Sequence, residues 1–301
     1  MENLPSDHFL TSLQFTKNVY QDVYPSIDPS KPELSLAGKV VIITGASRGI
    51  GARGIAPAFA KAGPKAIVLV ATNAEKLATV EGELKAINPK VQLLSVAANI
   101  ADVASVDNLF AQVKATFGHA DVLVNNAGVS VAAGNFHEQD IDVWWSNHEV
   151  NAKGAFLLAR GFINALPDPS TTPATIVNLT TAAAWLVLPI MSGYATSKVA
   201  SQQLMTHLAA GYPNITAVSL HPGFVDTDMV PDSFRHFDFD SPALVGGAAV
   251  WLASDKAKFL SGRAVAAQWS VDDLVAREDE IVKGGLLRME MTGKYGAEQF
   301  Q

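Results

Sequence analysis

The sequence predicts a doubly wound α/β fold, a mostly parallel seven-stranded sheet with helices on both faces. Three observations carry that expectation. Short, uninterrupted apolar runs alternate with longer stretches of helical periodicity, the mark of strands buried on both sides. A glycine-rich turn follows the first such run. The chain has 301 residues, 49% hydrophobic and only 17% charged, enough to cover both faces of a large sheet.

The elements follow in order. Residues 1–37 carry Pro5, Pro25, Pro29 and Pro32 across a weak aromatic pattern of Phe9, Phe15, Tyr20 and Tyr24, and read as an arm on the domain surface or an unstructured leader. Val40–Thr44 is the first strand and 49–62 the first helix, although Pro57 falls inside that helix, where an interior proline costs roughly 3 kcal/mol. Strands at 66–71, 91–97, 122–125, 175–179, 215–220 and 265–269 alternate with helices at 74–88, 103–117, 141–166, 194–210 and 242–253. This is the Rossmann pattern. We expect one catalytic domain over 38–270, the arm before it, and a helical tail at 271–301 whose charge run (Asp272, Asp273, Arg277, Glu278, Asp279, Glu280) forms a solvated face.

Composition excludes several classes. No cysteine is present, so there is no disulfide scaffold, zinc–thiolate site, iron–sulfur cluster or thiol nucleophile. A net charge of −7 argues against general binding to nucleic acid or anionic membranes. The segment 169–197 is uncharged and long enough to span a bilayer, but Asn178, Thr180, Thr181, Pro189, Gly193 and Tyr194 interrupt it. It reads as a strand followed by a pocket-lining loop. Met1–Leu10 has no apolar core for a secretory signal, and a cytoplasmic protein is expected. The seven histidines offer no HxxxH or HExxH spacing; His137 and His148, flanking a Trp-Trp pair, read as packing or surface residues, and no metal is expected.

Thr44-Gly45-Ala46-Ser47-Arg48-Gly49-Ile50-Gly51 joins the first strand to the first helix. Its glycines permit a tight turn and close approach of backbone N–H groups to an anion, and the helix N-terminus adds a positive dipole end for a pyrophosphate. The spacing TGxxxGxG resembles the short-chain dehydrogenase/reductase family, and four further motifs extend the likeness in the family's order. They are Asn125-Asn126-Ala127-Gly128, Asn151 in Val-Asn-Ala-Lys-Gly, Tyr194-x-x-x-Lys198, and Pro222-Gly223 with Val225 and Thr227. Together they cover about residues 37–270 and, more narrowly, resemble fungal carbonyl reductases that carry such an arm.

The resemblance implies an oxidoreductase that interconverts a ketone and a secondary alcohol. Tyr194 would be the acid/base, Lys198 would hold the ribose hydroxyls, and Asn151 would support a water chain to the lysine. Independently of the family, Tyr194 and Lys198 lie four apart on one helix face, and a neighbouring ammonium and a nicotinamide cation should lower the tyrosine's pKa from near 10. The family's serine, thirteen residues before the tyrosine, is Thr181 here. Threonine keeps the polarising hydroxyl and adds a stiff methyl, with Thr180 as the fallback.

An NAD-preferring site usually places an acid about 20 residues beyond the glycines. Here that point is Thr72-Asn73, and Arg48 could reach a 2′-phosphate, so NADP (NADPH) is favoured over NAD, although the family's second arginine is replaced by Thr72. Asn99-Ile100 stands where the family has Asp-Val, and the Asn99 amide could accept the adenine hydrogen bond. Asp102 reads as a helix cap. Trp185, Leu188, Met191, Phe224 and Met229 give an apolar substrate pocket with no positive anchor, and Asp228–Asp240 a mobile lid. A hydrophobic small-molecule carbonyl is the expected substrate. The resemblance further implies a homodimer or homotetramer through the helices of Asn151 and Tyr194, with Ala152, Gly154, Ala155, Ala195 and Ala200 permitting contact. Competing readings are a non-catalytic NADPH sensor, a redox-neutral cyclase or epimerase on the same scaffold, and a methyltransferase, which would leave the YxxxK and NNAG motifs as accidents.

Overall fold

A computed structural model describes residues 4–131, 133–293 and 295–300. Seven parallel strands, β1 (Val40–Thr44), β2 (Ala66–Ala71), β3 (Gln92–Ala97), β4 (Val122–Asn125), β5 (Ala174–Leu179), β6 (Ile215–His221) and β7 (Ala264–Ala266), run in the order β3-β2-β1-β4-β5-β6-β7. Alternate residues of β1 feed opposite cores: Val41 and Ile43 join one cluster, Val40 and Ile42 the other. That is the period of a strand covered on both faces, and it explains why these segments are apolar without interruption.

The helices are α1 (His8–Thr11), α2 (Ala56–Lys61), α3 (Ala74–Ile87), α4 (Val103–Phe117), α5 (Ile141–His148), α6 (Gly154–Asn164), α7 (Ser192–Gly211), α8 (Pro242–Leu252), α9 (Val271–Ala276) and α10 (Glu278–Lys283). No helix of the described residues is long and apolar enough to cross a membrane. Two predicted helices are modified by π-turns. Gly51–Ile55 forms one, directly ahead of α2, so that Pro57, which has no N–H to give, follows a stretch where the regular i→i−4 ladder is already interrupted; this resolves the Pro57 conflict. Glu149–Lys153 forms the other, between α5 and α6, and carries Asn151; π-turns interrupt the regular ladder and recur at functional sites.

Three expectations need correction. The segment 4–37 is not an unstructured leader, and it packs more deeply than an arm on the domain surface: Tyr24, Ile27, Leu34 and Leu36 are buried in the main core, and Val19 bridges Trp269 in antiparallel fashion. β7 ends at Ala266 rather than 269 because the chain turns there, the Trp269 N–H donating to the Ala266 carbonyl (3.1 Å). The acidic run after β7 is only partly solvated, because Asp273 accepts from the Asn18 N–H (2.7 Å) and Asp272 from the Ser26 hydroxyl (2.6 Å). Finally, Gly154 and Ala155 face inward, since a Cβ on Gly154 would lie 2.9 Å from Ile100 Cδ1 and Ala155 is buried. They are spent within this chain and cannot line a subunit contact.

Strand order reverses between β1 and β4. In open α/β sheets ligands bind at that switch point, beyond the carboxyl ends of the strands. The glycine turn leaves β1 there and the Asn125–Gly128 motif leaves β4.

Candidate active site

Thr44 holds the two motifs together. Its hydroxyl accepts the backbone N–H groups of Asn126 (3.1 Å) and Ala127 (3.1 Å), while the Asn126 amide donates to the Thr44 carbonyl (2.9 Å). Gly45 and Gly49 take φ of 66° and 57°, a region costly for other residues. A Cβ on Gly51 would collide with the Gly45 carbonyl oxygen. The turn is therefore a cradle that only glycines close, leading into the N-terminus of a continuous helical run at 51–61. Free N–H groups at the positive end of a helix match a pyrophosphate, so these residues fit a dinucleotide. Ser47 and Ile50 stand half-buried at its mouth, with Thr227 over it, 3.8 Å from a Cβ built on Gly49.

Arg48 pairs with Asp228 at 3.1 Å, both side chains largely exposed, a geometry worth little in water. Thr72 is exposed after β2, and Asn73 caps α3 by accepting from the Lys76 N–H (2.9 Å). Asp102 caps α4 as expected, accepting from the Ser105 N–H (2.8 Å). The Asn99 side-chain oxygen already accepts from the Ala101 N–H (3.0 Å), so the acceptor offered to an adenine is shared with a backbone turn. Ile100 is buried against Gly154.

Beyond β5 and along α7 lie the proton-handling groups. The Thr181 side chain, whose Oγ1 accepts from the Ala183 N–H (3.3 Å), neighbours Tyr194 and favours its phenolate form. One turn along α7, buried Lys198 donates to the Leu179 carbonyl (2.8 Å) and lies 3.1 Å from a Cβ placed on Gly128. Gly128 is what leaves the ammonium open toward the switch-point crevice. Thr180, the fallback, is buried and bonded to Gln202 (3.1 Å), which leaves Thr181 as the hydroxyl beside the tyrosine. The Asn151 side chain is committed to the protein: Val129 N–H donates to its oxygen (2.9 Å), and its amide donates to the Val129 carbonyl (2.8 Å) and Ser197 Oγ (3.0 Å). It pins the segment after Gly128, and a water chain would have to begin elsewhere on this residue than its side chain.

The expected fall in the tyrosine's pKa is not met in the protein alone. Burial pushes the Tyr194 hydroxyl above its ordinary value, only partly offset by the neighbouring Thr181 side chain, and burial pushes the Lys198 ammonium down to about 8. Desolvation disfavours both charged forms.

On the substrate side, Trp185 is held by its Nε1–H to Gln202 (2.9 Å), edge-on to His221 (5.5 Å) and stacked toward Trp269 (6.3 Å). Leu188 and Met229 are exposed, and Met191 is half-buried at the start of α7. Pro222 and Gly223 (φ 81°) turn the chain out of β6, with Val225 buried. Phe224 stacks on Phe239 at 5.0 Å. His148 stacks on Trp144 (4.4 Å) and Trp145 (5.2 Å), as a packing residue does, and His137 lies 3.8 Å from Glu138 at the surface. Among the described residues no group of three or more His, Cys, Asp or Glu could hold a metal ion.

Sequence reasoning missed Asp240. Buried beneath Gly223, it accepts from the Phe224 N–H (2.6 Å) and Gln268 Nε2 (2.8 Å), and its other oxygen has no partner. Burial raises its carboxyl to about 6. Gln202 and Ser197 were missed as well, ordinary polar residues whose side-chain partners (Thr180 and Trp185, Asn151) lie on other elements.

A family profile described as short chain dehydrogenase matches residues 39–237. Curated relatives include the short chain dehydrogenase mpl6 of Monascus purpureus, 35% identical over 94% of this chain and 99% of that one. The short chain dehydrogenase andI of Emericella variicolor is 34% identical over 92% and 96%. Among solved structures, a dehydrogenase/reductase from Sinorhizobium meliloti superposes with a TM-score of 0.71 at 28% identity, covering 81% of this chain and 97% of that one. The switch-point cradle, the tyrosine and lysine on one helix face, and these matches agree. The chain belongs to the short-chain dehydrogenase/reductase family and is an NAD(P)-dependent oxidoreductase of that family.

Proposed function

We propose that the protein interconverts a ketone and a secondary alcohol on a hydrophobic substrate, with Tyr194 as acid/base and NADP as the preferred dinucleotide. The observation that carries this reading is buried Lys198, one turn of α7 from Tyr194, held by the Leu179 carbonyl (2.8 Å) and facing Gly128 at the switch point, with Thr181 beside the tyrosine. When bound, the dinucleotide supplies or takes up the hydride. The chain's own residues do the rest. Thr181 donates a hydrogen bond to the substrate carbonyl oxygen, and Tyr194 O–H delivers its proton to that oxygen as it gains charge. Lys198, one turn away, stabilises the phenolate left behind. Asn151 and Ser197 hold the segment after β4 against α7 so that these groups keep their spacing. In the reverse direction Tyr194 takes the proton from the alcohol.

NADP preference rests on Arg48 beside the cradle and on the lack of an acid at Thr72-Asn73; a 2′-phosphate would compete with Asp228 for the guanidinium. Assembly through the outer faces of α6 and α7, where Phe156 is half exposed, would give the homodimer or homotetramer. A side-by-side fluorescence titration with NADPH and NADH, followed by ketone-dependent NADPH loss, tests the proposal. Tight NADPH binding with turnover of apolar ketones is expected. Preference for NADH overturns the cofactor choice, binding without turnover favours a sensor, and product formation without NADPH loss favours redox-neutral chemistry.

A further inference from the structure

The arm touches both walls assigned above to the substrate. At one end, Asp238 N–H donates to the Ser6 carbonyl (2.9 Å) and Ser6 Oγ donates to the Asp238 carboxylate (2.9 Å). Between these anchors and the rest of α1, the Phe9 ring stacks on Phe224 at 4.7 Å with planes 25° apart, and meets Phe237 edge-on at 4.7 Å. At the other end, Trp269 Nε1–H donates to the Leu13 carbonyl (2.9 Å), and Phe15 lies 5.2 Å from the Trp269 ring beneath the Arg277 guanidinium. Trp269 in turn backs Trp185 at 6.3 Å. A run of ten residues, Ser6 to Phe15, thus reaches from the Phe224 wall to the support of the Trp185 wall.

Within this cluster Phe237 is buried, whereas Phe9, Phe224, Phe234 and Phe239 are each only half-buried. Half-exposed aromatic rings held by their neighbours present ordered faces, and such faces favour another flat ring in offset or edge-on contact. We propose that Phe9 is a specificity-determining residue of the substrate pocket, and that the substrate is a ketone carried on a planar aromatic ring system. This rests on the assignment of Trp185 and Phe224 as substrate walls. The arm is then part of the binding site, supplied from more than two hundred residues away in sequence.

Binding of 2-acetylnaphthalene to the full chain, measured by equilibrium dialysis with and without NADP, tests the inference separately from turnover. The naphthyl ketone should bind the wild type, Phe9→Ala should weaken it about tenfold, and Phe9→Leu, which keeps apolar volume but no ring face, should weaken it about threefold. NADPH fluorescence titration of both variants reports that the cofactor half is folded. Binding of the naphthyl ketone within twofold of wild type in both variants overturns the inference, as does failure of the wild type to bind it. Binding that depends on Phe9 without ketone-dependent NADPH loss leaves the arm's role standing and sinks the reductase reading.

Discussion

Around Thr44 and Asn126 the crevice is held by backbone: carbonyls, N–H groups and glycines, with one hydroxyl and one amide closing the joint. Around Phe224 it is held by rings and one buried carboxylate, drawn from β6, the 228–240 loop and the arm. The cofactor end demands particular residues because only glycine tolerates its φ values and close approaches. The substrate end demands only bulk and flatness, which many residues supply. One end is therefore specified by spacing, and the other by long-range packing.

Gly51→Val should break the cofactor end most completely. The added Cβ meets the Gly45 carbonyl, the cradle cannot close, and NADPH affinity should fall by about a hundredfold or more, a cost of roughly 3 kcal/mol, with naphthyl ketone binding in the absence of NADP less affected. Fluorescence titration and dialysis on the same variant check both.

Lys198→Met sharpens the comparison by separating stability from function. Folding lowers this ammonium from 10.5 to about 8, so the folded protein carries a cost below pH 8 that disappears as pH rises toward 10.5. The full shift corresponds to about 3 kcal/mol, less the lost bond to the Leu179 carbonyl. At pH 7 the variant should melt a few degrees higher, at ~2–4 °C per kcal/mol, and lose turnover. Calorimetry and NADPH loss report the two effects.

Asp240→Asn probes the substrate end with a smaller change. The folded pKa lies above the unfolded one, so this group's contribution is fully present below about pH 4 and is lost as pH rises through about 6, by up to about 3 kcal/mol. The amide retains an oxygen for Phe224 N–H and does not ionise. Urea unfolding should show the variant more stable than wild type at pH 7.5 and no more stable at pH 4.

The contrast between the two ends also explains what could be read from the sequence. The strands were legible because burial on both faces leaves no polar alternation, and six of the seven lie within one residue of their expected limits. The motifs at Gly45–Gly51, Asn125–Gly128 and Tyr194–Lys198 were legible because their chemistry fixes residue type and separation. Pro57 looked like a conflict because helical periodicity does not reveal a π-turn. The arm was legible only as one of two alternatives, and its contacts not at all: Phe9 and Phe224 have no common period, and four prolines imitate a leader. Asp240 was hidden for a similar reason. One acid in a charged loop gives no sign that the chain will fold it under Gly223.

The most direct test of the central claim is ketone-dependent NADPH loss by wild type and Tyr194→Phe, alongside NADPH affinity for each. The account predicts turnover by the wild type, a loss of at least about a thousandfold in the variant, and nearly equal NADPH binding. A variant that binds NADPH and keeps most of the wild-type rate would show that another group moves the proton.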